Sequence, residues 1–209
     1  MRAAIKIILA LAIILLGYLL LESIMQPIRF NKERVKREKA TISRLVDIRT
    51  AQVAFKDKFG AYTGSFDSLI SFVKHDSFPV VRAIGSIPDS LYLAGMTEAE
   101  ALELGLIIRD TLNVSVLDSI FFPGYPIDSL RFVPFADTTQ FFLGANDIET
   151  ASKVKVKVFE AHVINDILLH GMDRQLTINY SAERVKITNF AGLRVGSLEE
   201  ATNNAGNWE

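Results

Sequence analysis

The chain has 209 residues and a net charge of −1, so its global charge gives no reason to expect nucleic acid as a partner. Hydrophobic residues make up 49% of it, enough for one cored domain beyond any membrane segment. There is no cysteine, which excludes disulfides, thiolate metal sites, a lipidated cysteine and thiol nucleophiles together.

Residues 7–21 (IILALAIILLGYLLL) carry no charge. Extended to residues 3–25, with Lys6 and Glu22 near the ends, the run makes a helix of about 35 Å, enough for a hydrocarbon core of about 30 Å. It lacks the small-residue cleavage pattern of a signal peptide and is longer than the roughly 7–15 residues of a signal core, so it is expected to be an uncleaved anchor. Gly17, Ala10 and Ala12 would let a second helix approach it.

Pro27 predicts a kink or break after the span, and Asn31 a cap for a second helix over residues 32–58. Ile42, Leu45, Ile48, Ala51 or Gln52, Phe55 and Phe59 recur at spacings of three and four, on one face. Glu38, Arg44, Asp47, Arg49 and Lys56 take the other face, and Gly60 is the stop. Residues 29–58 sum to +6 and residues 1–28 to +1, which leaves −8 for the rest: a basic stalk beside an acidic body. Basic side chains near an anionic leaflet gain roughly 1 kcal/mol each.

After a turn at residues 62–65, residues 66–73 read as a short helix, in a unit ended by Pro79. Thr97 and Glu100 form a capping box for a helix closed by Gly105. β-type runs follow at residues 106–117, 130–135 and 140–143, and the alternating KVKVKVF of residues 153–159 predicts a half-buried strand. Residues 121–126 (FFPGYP) and 143–149 (LGANDIE) read as loops, and residues 178–187 fit either strand or helix. Ser197 and Glu200 suggest a second capping box and a last helix, and the tail NNAGNWE a loose end from which Trp208 could dock. Asp-Ser followed by Leu or Ile occurs at Asp67, Asp89, Asp118 and Asp128, at irregular intervals that fit a turn or cap pair rather than a repeat.

The chemistry-bearing candidates are few. His75-Asp76-Ser77 are consecutive, which points their side chains apart, whereas a triad is a spatial arrangement. His162, Asp166 and His170 would share a face with metal-binding spacing only if residues 162–170 were one helix, and they read as surface histidines. Gly144-Ala145-Asn146-Asp147 reads as an acidic turn. There is no glycine-rich phosphate loop and no G-x-S-x-G. No catalytic, cofactor-binding or metal-ligating residue is therefore assigned, and no enzyme activity or cofactor is expected. The aromatic FFPGYP and QFFLG segments are the candidates for lining a ligand pocket, in an alternative reading as a tethered binding or sensory domain; a last alternative is a membrane-anchored metal-dependent hydrolase using His162 and His170.

The order of parts carries a resemblance. A short basic start, an apolar helix, a proline and an amphipathic helix lead into an aromatic-Gly-x-Tyr turn, a short helix and strands. With Asn31-Lys32-Glu33, the segment from Asp47 to Lys56, Phe59-Gly60-Ala61-Tyr62-Thr63 and Leu69-Ile70, residues 1–74 resemble type IV pilins and the pseudopilins of type II secretion. The G-F-T-L-x-E processing site of that family is absent; Met1-Arg2-Ala3-Ala4-Ile5-Lys6 stands in its place. The resemblance implies an α+β fold: a transmembrane helix continuing into an amphipathic stalk, then a small antiparallel-sheet domain. The expected division is an anchor over residues 1–28, a stalk over 29–60 and a globular domain over 61–209.

Counting basic residues, Arg2 and Lys6 before the span against six from Arg29 to Lys39 after it, favours a cytoplasmic body. The resemblance favours a periplasmic one, since pseudopilins carry basic residues in the same place, and that orientation is expected here, in an inner membrane. The expected function is that of a structural or accessory subunit of a bacterial envelope complex (secretion, pilus-like or motor assembly). Its expected partners are the lipid bilayer, other membrane or envelope proteins, and further copies of itself through the N-terminal helix, with no nucleic acid.

Overall fold

Helix α1 runs from Arg2 to Phe59 as one element with Pro27 inside it, in a computed structural model that describes residues 2–93, 95–150 and 152–209. Met1, which opens the segment compared with a processing site, lies outside the described residues. The expected break at Pro27 is absent. A proline in a helix interior removes one hydrogen bond and costs about 3 kcal/mol. That loss is outweighed because both flanks are held helical: the apolar run has no better partner for its backbone in lipid, and the following turns pack on the body from Phe30 onward. Gly60, at φ +71°, ends the helix and donates to the Lys56 carbonyl at 2.7 Å.

The turn after α1 is fixed from within the core. Gln52 is fully buried, and both ends of its amide are satisfied by one residue: Nε2 donates to the Thr63 carbonyl at 2.6 Å and Oε1 accepts from the Thr63 N–H at 3.1 Å. Helix α2 (Phe66–His75) follows, its N-terminus capped by the Ser65 hydroxyl, and it buries Leu69, Phe72 and Val73.

Strands β1 (Ser77–Gly85) and β2 (Ile107–Ser115) form a separate two-stranded antiparallel ribbon, running from Ser77↔Ser115 to Gly85↔Ile107. Pro79 does not end the preceding unit but lies inside β1, tolerated because each strand of a two-stranded sheet has a free edge. Between the strands lie α3 (Asp89–Leu93) and α4 (Glu98–Glu103), the latter with the expected Thr97–Glu100 capping box.

After α5 (Val116–Ile120), residues 130–135 do not form a strand. The 3-10 helix Ile127–Arg131 takes their place, started by Pro126, whose carbonyl accepts from the Ser129 hydroxyl at 2.7 Å. Strand β3 (Phe142–Glu149) replaces the loop expected at residues 143–149, because eight consecutive residues pair in register with β4 (Lys155–Ile164) and that ladder overrides turn propensity. Gly144 fits there because a Cβ would meet Leu198 Cδ1 at 2.9 Å. Helices α6 (Asn165–Leu168) and α7 (Arg174–Thr188) lead to β5 (Gly192–Gly196), giving the sheet order β3-β4-β5. The ambiguous stretch 178–187 is thus helical: Asp173 caps α7 at one end and Asn189, at φ +54°, closes the other.

The last expected helix is absent. Ser197 Oγ does accept from the Glu199 and Glu200 N–H groups at 3.2 Å, but the Leu198 N–H is taken by Glu160 and the chain bends away. Nor is the tail loose. It lies along β5, with Gly196 N–H donating to the Ala205 carbonyl at 3.0 Å and Asn207 N–H to the Arg194 carbonyl at 2.9 Å, and Trp208 packs on the core. The four Asp-Ser pairs lie in the first turns of α2, α3, α5 and the 3-10 helix.

About 51% of the structure is helix and 22% strand, with every named strand pair antiparallel, which defines an α+β fold. One hydrophobic core joins the stalk half of α1 (Phe30, Leu45, Ile48, Ala51) to α2, Leu130 and the inner face of β4 and β5.

Candidate functional site: an anchor helix locked onto the body

Every large apolar side chain in residues 5–21 is at least 52% exposed, on all sides of α1. No part of the body covers them. Among the described residues α1 is the one helix long and apolar enough to cross a membrane. An apolar helix left bare all round has lipid or other helices as its natural surroundings.

The span gives way to the body over a few residues. Arg29 pairs with Glu22, and Gln26 Nε2 donates to Asp173 Oδ2 at 2.7 Å, joining α1 to the start of α7. Phe30 is the first buried side chain. Four arginines on the stalk then reach into the body. Arg34 Nη1 bonds Glu38 at 2.7 Å and the Tyr180 hydroxyl at 3.1 Å, with its guanidinium 4.4 Å from that ring's centre. Arg37 Nη1 donates to the carbonyls of Leu168 and His170, at 3.2 and 2.9 Å, where α6 ends and a cation is favoured. Arg44 donates to the Ser129 carbonyl and, at 2.9 Å, to its hydroxyl. Arg49 bonds Glu209 at 2.6 Å and the Asn204 carbonyl at 3.3 Å.

Two tyrosines complete the lock. Tyr125 donates to Asp47 at 2.6 Å and Tyr180 to Glu38. Burial, then the hydrogen bond and negative charge of the facing carboxylate, push both phenols above the usual tyrosine range. Both are therefore neutral donors at physiological pH. At the tail, the hydrogen bond from Arg49 leads the lowering of the Glu209 carboxyl below its usual range. The charged face of the stalk thus makes specific contacts through its arginines, while Arg29, Lys32, Lys36 and Lys39 remain exposed on one stripe.

His75 Nδ1 lies 3.1 Å from the Ser71 carbonyl and Asp76 pairs with Lys58, so no triad forms. His162 lies on β4, its Nδ1 2.7 Å from Glu160, stacked on Phe142 with ring centres 4.5 Å apart and against Phe190. His170 lies in the turn after α6, with Asp166 in that short helix and Asp173 capping α7. The single helix needed to align them does not exist, and no group of three metal-ligating side chains forms among the described residues. Asn146 and Asp147 belong to β3 rather than to a turn; Asn146 bonds the Leu198 carbonyl and Asp147 pairs with Lys157.

The aromatic segments also fill other roles. Phe121 stacks on Tyr125 at 4.3 Å, Phe141 is buried, and Phe142 covers His162. An open groove of about 700 Å³ lies between the stalk and the tail, lined by Arg49, Lys56, Tyr62, Phe78, Ile120 and Asn203 among others, and includes none of the FFPGYP or QFFLG residues. The arginine contacts escaped sequence reasoning because a charged helix face looks the same whether it meets water or backbone carbonyls.

Fold and site together define a class: an α+β body carried on one N-terminal helix that is long and apolar enough to span a membrane once. Comparison with known proteins adds no narrower family, since no family model matches the chain and no curated protein or solved structure matches it significantly.

Proposed function

We propose that the chain is a single-pass, membrane-anchored structural or accessory subunit of a bacterial envelope complex, of the secretion, pilus-like or motor kind. It acts through protein contacts rather than turnover, with its body on the periplasmic side of the inner membrane. The observation that carries this reading is the continuity of α1: a bare apolar span runs without interruption into a stalk cored and bonded into the body. A load or displacement at the body is thereby transmitted to the bilayer, and the reverse, without a hinge. The long apolar helix followed by a small antiparallel sheet is compatible with a pilin-like layout. A permanent tether is the form of that layout proposed here.

Two measurements test it. Alkaline phosphatase or green fluorescent protein is fused behind a flexible linker, because the last residues are docked and a direct fusion would pull Glu209 from Arg49. Phosphatase activity without fluorescence is expected; fluorescence without phosphatase activity would put the body in the cytoplasm. Purification in mild detergent at native expression is expected to retain stoichiometric membrane partners, and a lone monomer would overturn the subunit reading.

A further inference from the structure

The β1–β2 ribbon has two unlike faces. Cross-strand register places Phe78 beside Val114, Val80 beside Leu112, Arg82 beside Asp110, and Ile84 beside Ile108 on one face. The other face carries Pro79, Val81 (60% exposed), Ala83, Arg109, Thr111 and Asn113, and its outer end is covered by α4, with Ile107 and Ala101 buried and Arg109 paired with Glu98. The apolar face begins on the core, where Phe78 packs against Phe72, and then runs out uncovered. Val80, Ile84, Ile108 and Leu112 are 45–59% exposed. Ribbons of two strands are marginally stable alone in water, and an uncovered apolar face of this kind marks a contact surface.

The charges on this face indicate what covers it. Arg82 and Asp110 stand opposite each other in the central row of the exposed part, with one apolar row on each side, yet they form no ion pair among the described residues. That pattern is complementary to itself. A two-fold axis parallel to the strands lays β2 of one copy over β1 of another. Val80 then meets Leu112, Ile84 meets Ile108, and Arg82 meets Asp110 twice over, with both bodies at the same end of the paired ribbons. An axis across the strands would set Arg82 on Arg82 and Asp110 on Asp110, which like-charge repulsion rejects. We infer that two copies of this chain pair face to face through the apolar side of the β1–β2 ribbon, with Arg82 and Asp110 fixing the register. The inference deepens the proposed function and rests on its reading of the protein as an interaction subunit.

The exposed rows span only about 14 Å, so the buried area falls well below the roughly 800 Å² per partner of a stable free complex. Tethering both copies in one bilayer raises their effective concentration and makes up the difference. The pairing is therefore to be measured in membranes on the full chain.

Because the chain has no cysteine, Ile84→Cys gives a single reporter. A short bis-maleimide should link two such copies, while Val81→Cys on the opposite face should not link. On the Ile84→Cys background, Arg82→Asp alone or Asp110→Arg alone should each cut the dimer roughly tenfold or more. Co-expressing the two charge variants should restore it, because each copy then supplies the charge the other lacks; recovery also shows that both variants fold. Equal linking from both faces, indifference to the charge changes, or no recovery on mixing overturns the inference. If pairing fails but the wild-type chain still co-purifies with another membrane protein in fixed ratio, the broader subunit reading stands. A wild-type monomer with no partner ends both.

Discussion

The two halves of α1 share one backbone and live in opposite surroundings. Residues 5–21 are almost wholly apolar and nothing in the protein covers them, whereas residues 30–59 are far more polar and supply Phe30, Leu45, Ile48 and Ala51 to the core. Apolar content alone therefore does not predict burial in protein. What separates the halves is pattern: an unbroken apolar surface suits lipid, while a stripe at helical spacing flanked by arginines suits a folded body. If this division is right, changes in the stalk half alter the stability of the body and changes in the span half do not.

The largest expected contrast uses the same substitution in both halves. Leu45 is fully buried, so Leu45→Ala should destabilise the body by about 2–5 kcal/mol. Leu15→Ala should change it by less than about 0.5 kcal/mol, since Leu15 touches no part of the body's core. Trp208, the single tryptophan, is docked on the core and reports both in detergent denaturation curves. Equal destabilisation by the two would mean that the halves are not energetically distinct.

A smaller effect probes the lock on the stalk's polar side. Tyr125→Phe removes the donor to Asp47 and should cost about 1–1.5 kcal/mol at neutral pH. The pH dependence has a definite sign. Folding raises the Tyr125 pKa above its unfolded value of about 10, so the native state holds the proton more tightly, and its contribution is complete below pH ~10. It is lost as pH rises through the still higher folded value. The stability difference between wild type and Tyr125→Phe should therefore shrink with alkalinisation from about pH 10. A difference that stays constant there would show that Tyr125 does not bond Asp47.

How much of this was legible in the sequence follows the same division. The span, the stalk periodicity, the Thr97–Glu100 box and the β4 alternation are local patterns, and each is found where the pattern put it. The misreadings occur where a distant partner decides. β3 carries turn residues and is a strand because β4 pairs with it. Ser197 and Glu200 carry the capping-box pattern, yet no helix follows, because Glu160 takes the next N–H. The NNAGNWE tail has a disordered composition, yet β5 offers it a free edge and Arg49 a charge. The arginine lock was illegible for the same reason: its acceptors at Leu168, His170 and Asn204 are backbone carbonyls, which no side-chain pattern announces.

The smallest effect sharpens the comparison inside the stalk itself. Thr41 lies on the buried face of α1, fully enclosed, and its hydroxyl has no partner. Thr177 is also buried, but its hydroxyl donates to the Asp173 carbonyl at 2.8 Å. An unpaired buried hydroxyl carries a desolvation penalty with nothing to offset it, so Thr41→Val, which keeps the shape and removes the polar atom, should stabilise the body by about 1 kcal/mol. Thr177→Val should destabilise by about 1 kcal/mol, because there the hydroxyl is bonded. Thr41→Ser keeps the penalty and loses a methyl, so it should destabilise as well. Opposite signs for the two valine variants would show that Thr41 is a polar residue held in place by the packing around it. A loss of stability in Thr41→Val would instead reveal a partner for its hydroxyl and overturn the view that the buried face of the stalk around Thr41 is held by apolar packing.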